Sequence, residues 1–135
     1  TPMLKFALAL AATTALLTAP AAQARPKLTG EQKLAQILDG REAGDPVDCI
    51  SLNRARSTKI VDGTAIVYDA GSTLYVNRPV NADRLDRDDI LVTRTFSDRL
   101  CSVDTVQLHD RTGNYWRGFV SLDKFVPYRK VASAN

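Results

Sequence analysis

The sequence predicts an all-β fold with one N-terminal helix: a small antiparallel β-sandwich or barrel of six to seven strands, stapled by one disulfide. Three observations point there. From Val47 onward, short β-branched and aromatic runs alternate with Gly- and Asp-rich breaks, and no helical period intervenes. Ahead of them "KLTGEQKLAQILDGREAGDP" carries the period of one amphipathic helix. The chain has only two cysteines, each inside a strand-like run.

Residues 1–24 read as a secretory leader. Met3 is the expected initiator, Lys5 supplies the charged start, an apolar stretch runs from Phe6 to Ala19, and Ala22 and Ala24 form an A-x-A cleavage pattern. The apolar stretch falls short of the roughly 20 residues that span a bilayer. Cleavage is expected after Ala24, giving a periplasmic or secreted protein with no membrane span.

Residues 25–45 form the helix segment. Thr29 stands as N-cap with Gln32 three residues on, Leu34, Ile37 and Leu38 share one face, and Gly40 or Gly44 ends the helix ahead of Pro46. Residues 46–129 form the antiparallel β domain. Its clearest hairpin signal is Asp62-Gly63, a pair suited to a two-residue turn with positive φ, between "STKIV" and "TAIVY". "TLYVN", "DILVTRTF", "RLCSVDTVQL" and "YWRGFVSL" continue the pattern, the last two joined across "HDRTGN". Residues 130–135 are expected to be a flexible tail.

Export makes Cys49 and Cys101 a disulfide pair, because an oxidising compartment keeps two thiols joined. The competing chemistries lack partners. A cysteine nucleophile needs a histidine base, and a zinc site needs about four ligands at recognisable spacing. The one histidine, His109, sits beside a turn. Asp86, Asp88 and Asp89 in "LDRDDI" miss the calcium-loop template, which wants Gly where Leu91 stands and a following Glu. No G-x-S-x-G, H-E-x-x-H, P-loop or G-x-G-x-x-G motif is present. No catalytic, cofactor or metal residue is therefore assigned. Net charge is +3, one unit of which leaves with Lys5, and Arg alternates with Asp in "NADRLDRDDILVTRT". Such interleaving argues against a nucleic-acid surface.

Aromatic residues concentrate in "NYWRGFVSLDKFVPYRK". Strand alternation puts Tyr115, Arg117 and Phe119 on one face and Trp116, Val120 and Leu122 on the other, so one set fills the core. The other, with Arg129 nearby, is the candidate partner-binding surface, since Trp, Tyr and Arg dominate contact energy.

The stretches "PVDCISLNRARSTKIVDGTAIVY", "TLYVNRP", "LDRDDILVTR", "LCSVDTVQL" and "GFVSLDKFVPY" resemble a group of short exported proteins of Gram-negative bacteria, a domain of unknown function. The resemblance covers Pro46 to Tyr128 and implies export and a framework role for both cysteines. It carries over no catalytic residue. A looser, purely architectural likeness is to small periplasmic lysozyme or protease inhibitors. The expected function is a non-enzymatic binding module for a protein or envelope component. The alternatives are a small periplasmic hydrolase using Asp residues or His109, and an inhibitor-like barrel acting on an enzyme.

Overall fold

The computed structural model describes residues 11–22 and 25–132. Lys5, the Ala24 cleavage position and the last three residues of the 130–135 tail lie outside the described residues. Residues 11–22 are irregular and exposed. Among the described residues no helix is long and apolar enough to cross a membrane.

Helix α1 spans Gly30–Ile37. Its capping box is complete: the Thr29 hydroxyl accepts the Gln32 N–H, and the Gln32 side chain accepts the Thr29 N–H at 2.9 Å. Among the described residues ten strands follow: β1 Arg41–Ala43, β2 Cys49–Ser51, β3 Ser57–Val61, β4 Ala65–Asp69, β5 Thr73–Asn77, β6 Asp89–Thr93, β7 Arg99–Cys101, β8 Thr105–Asp110, β9 Trp116–Ser121 and β10 Phe125–Lys130. Every pairing is antiparallel. The strands make a five-stranded sheet in the order β1-β10-β5-β4-β3, a three-stranded sheet β6-β8-β9 and a ribbon β2-β7.

The five-stranded sheet is buried on both faces, which is why β4 has no exposed residue. Toward the helix, Val61, Ala65, Val67, Leu74 and Val76 enclose Leu34, flanked by Ile37, Leu38 and Tyr128. Toward the small sheet, Ile66, Tyr68 and Phe125 meet Leu108, Val106 and Val120, and the ribbon adds Ile50 and Leu100. Tyr68 and Phe125 pack edge to face, their centroids 5.8 Å apart. The layers are helix, sheet, sheet: a sandwich with a helix on its back. Among the described residues no ladder joins the two larger sheets, so the barrel alternative does not hold.

Cys49 lies directly opposite Cys101 in the ribbon register, and the two form the expected disulfide. Three expectations need correction. Among the described residues the strand count is ten because "RLCSVDTVQL" is cut in two by a turn over residues 102–104, closed by Asp104 accepting the Cys101 N–H at 2.7 Å, and because β1 and β10 add to the expected set. The Asp62-Gly63 hairpin exists, but its loop has three residues and positive φ only at Gly63 (+61°), with Val61 opposite Ala65. The tail begins later than residue 130: Lys130 pairs with Arg41, and the Val131 N–H reaches the Gly40 carbonyl at 3.0 Å.

Pro127 inside β10 is accommodated by position. Its carbonyl accepts the Gly44 N–H at 2.7 Å on the side where β1 has already ended, so the missing donor falls beyond the ladder. Buried Asn77 is satisfied by the β9–β10 turn: its amide donates to the Asp123 carbonyl and its oxygen accepts the Asp123 N–H at 3.0 Å.

Candidate interaction surface

The β8–β9 hairpin turns over residues 111–115, held by the Asp110 carboxylate on the Gly113 N–H at 2.6 Å and by the Asn114 N–H on the Asp110 carbonyl at 2.8 Å. Beyond the turn the ladder slips. His109 faces Trp116, whereas Leu108 faces Gly118, leaving Arg117 as the extra residue of a β-bulge. Gly118 makes this possible with φ +127°, a conformation side-chain-bearing residues rarely adopt.

The bulge decides which side chains face out. Val120 points into the core opposite Val106 and buried Gly118 stands opposite Leu108, while Phe119 sits opposite Gln107 and Trp116 opposite His109 on the outer face. The same face carries Ile90, opposite His109, and Val92, opposite Gln107. Gln107 and His109 contact each other there at 3.2 Å. Trp116 is 60% exposed, Tyr115 59% and Phe119 47%. The expected division, one aromatic set inside and one outside, is therefore replaced by an arrangement in which all three aromatics reach solvent.

Arg117 goes the other way. Its guanidinium hydrogen-bonds and ion-pairs with the carboxylate of Asp89, which is buried on the inner side of β6. That hydrogen bond is the main cause holding the Arg117 pKa above its ordinary value. Arg117 is thus a brace for a buried charge. Arg129 is not brought to the surface patch: it lies on β10 in the other sheet, opposite Glu42 and Thr73. In its place Arg84 reaches the rim of a hollow of about 330 Å³ beside Trp116 and Phe119. Asn81 fixes that rim, donating to the Phe119 carbonyl at 2.8 Å and accepting the Ser121 N–H at 2.9 Å.

Of the expected surface, Trp116 and Phe119 assemble, Ile90, Val92 and His109 join them, and Tyr115 stays in the adjoining turn. The alternation in "DILVTRTF" signals Ile90 and Val92, but only the sheet register brings them beside the hairpin. The aspartates serve loops: Asp69 accepts the Gly71 N–H at 2.8 Å, Asp86 the Asp88 N–H at 2.8 Å and Asp62 the Arg87 N–H at 2.6 Å. Among the described residues no three His, Cys, Asp or Glu side chains converge as metal ligands would.

A further exposed aromatic, Phe96, stands apart from these at the tip of the 94–98 loop with 112% relative exposure. The loop is braced on both sides: Thr95 donates to the Ser97 carbonyl at 2.6 Å, the Asp98 carbonyl accepts the Leu52 N–H at 2.7 Å, and the Asn53 amide reaches the Asp98 carboxylate at 3.2 Å. Comparison with known proteins finds no protein family, no curated relative and no solved structure that matches the chain.

Proposed function

We propose that this protein is an exported domain, processed after Ala24 and resident in the periplasm or secreted, that works by contact: it binds a protein or envelope component through the outer face of β6-β8-β9. The observation that carries this reading is the exposure of Trp116 and Phe119 beside Ile90 on one sheet face, with exposed Tyr115 in the adjoining turn. A half-buried antiparallel sheet ordinarily turns polar residues to water, so a Trp and a Phe there need a use. The disulfide and the resemblance to exported proteins support the compartment.

The test is capture of periplasmic components on immobilised protein, comparing the parent with Trp116→Ala/Phe119→Ala. Both side chains lie outside the core, so the double variant should fold. Buried aromatic anchors contribute about 2 kcal/mol or more each at an interface, so retention should fall by more than about tenfold. Equal capture by parent and variant rules this face out. Arg117→Ala is unsuitable as a binding probe, because it strips the partner from buried Asp89.

The braced Phe96 loop favours a second reading, an inhibitor that fills an enzyme's apolar pocket. A loop held in one conformation loses little freedom on docking. Inhibition of a protease that prefers aromatic residues, abolished by Phe96→Gly, would support it over the sheet face.

A further inference from the structure

We propose that the free edge of β3 docks an extended acidic segment of a partner protein, which adds to the five-stranded sheet as a further strand. This surface meets the aromatic face only at Ile90. The edges at β9, β1 and β3 are not equivalent. Along β9 the outer edge is covered, by the Asn81 side chain and by the Val80 N–H on the Ser121 carbonyl at 3.0 Å. Edge strand β1 is only three residues long. Strand β3 runs five residues and pairs with β4 alone, and among the described residues nothing outside β4 and its turn hydrogen-bonds the β3 backbone. Its first three residues are exposed.

Troughs flank that edge on both sides. One, of about 640 Å³, lies between Lys33 and Ile37 of α1 and Lys59 and Val61 of β3, with Arg87 at its end. The other, of about 250 Å³, lies between Thr58 and Ile60 of β3 and Asp89, Ile90 and Leu91 of β6, with Arg87 and Arg111 beside them. An added strand sends alternate side chains to opposite faces, and each face here has a trough to receive them.

Charge selects the occupant. Lys33, Lys59 and Arg87 border the helix-side trough against one carboxylate, Asp62, whose oxygens are engaged by the Arg87 N–H at 2.6 Å and lie 3.9 Å from its Nε. Among the described residues neither lysine forms an ion pair. A second copy of the chain is disfavoured, since pairing β3 with itself about its centre sets two Lys59 side chains together. An acidic strand meets complementary charge instead.

The test titrates isotope-labelled protein with an acetylated eight-residue peptide in which Glu alternates with Val and Thr, and with the same peptide carrying Lys for Glu. The acidic peptide should slow amide exchange at alternate residues within 57–61. Its affinity should fall about fivefold or more in Lys59→Glu, whose side chain is exposed, and fall further with added salt. The Lys peptide should not bind. Equal binding by both peptides, protection centred elsewhere, or no binding of the acidic peptide at millimolar concentration each overturns the proposal.

Discussion

Removing the Cys49–Cys101 bond should cost this domain a large part of its stability. Strands β2 and β7 contribute three residues each, so their ribbon has few hydrogen bonds of its own. What holds it to the sandwich is Ile50 and Leu100 in the core and the bond between the two cysteines facing each other in register. The bond closes a loop with a sequence separation of 52. The chain-entropy relation assigns a loop of that length about 4 kcal/mol. Small domains have roughly 5–15 kcal/mol in total. Cys49→Ala/Cys101→Ala, made together so that no lone thiol remains, should therefore lower the urea-unfolding free energy by about 3–4 kcal/mol, and reduction of the parent should give a similar loss. Intact-mass analysis of the unreduced parent after treatment with a thiol-alkylating reagent should show no adduct. A loss under about 1 kcal/mol would refute the reasoning, since the ribbon would then be held by its packing alone. Two adducts before reduction would refute the pairing in solution.

Leu34→Ala should cost about 2–5 kcal/mol in the same unfolding assay, because Leu34 is the one buried residue of α1 and seats the helix on the sheet. Gly118→Ala should cost about 1–3 kcal/mol from backbone strain at φ +127°, with its new Cβ only 3.3 Å from Arg84 Nη1, and should shift the fluorescence of Trp116 as the bulge distorts. Glu31 is hydrogen-bonded to Arg78, which holds its carboxyl below the ordinary 4.5. A depressed carboxyl pKa stabilises the fold above the unfolded value and stops doing so as pH falls through the folded one. Both groups are exposed, so the parent should lose only about 0.5 kcal/mol or less by this route below pH 4.5, and Glu31→Gln should remove that component of the acid titration.

Local signals made much of the fold legible. Thr29 and Gln32 announce a capping box that needs no tertiary context, and Leu34, Ile37 and Leu38 mark the buried face by spacing alone. The disulfide follows from a count of two cysteines and an inferred compartment. Elements defined by their partners were less visible. Strand β1 is three residues with one small apolar side chain, and it exists because β10 offers an edge. Strand β10 hides behind Pro127, which argues against a strand until the end of β1 is seen to spare its missing donor. At the candidate site the aromatic types were readable, but their directions were not. Period-two alternation holds only without an inserted residue, and nothing local distinguishes Arg117 as that residue.

The bulge bears most directly on function because it exchanges the places of Trp116 and Arg117. Without it, alternation back from Gly118 and Val120 would send Trp116 into the core and leave Arg117 on the outer face. Hydrophobic burial and charge solvation both favour that unbulged choice, since an enclosed Trp contributes far more to stability than an exposed one and an arginine is cheapest in water. The protein does the reverse: Trp116 stands in solvent opposite His109, and Arg117 turns toward buried Asp89 and ion-pairs with it. A residue without a side chain at position 118, a buried carboxylate and an inserted residue must all coincide for this to hold. Departures from local preference that require several matched residues are where function is most reasonably sought. The result is an aromatic surface on the one face of the small sheet that neither the helix nor the large sheet covers.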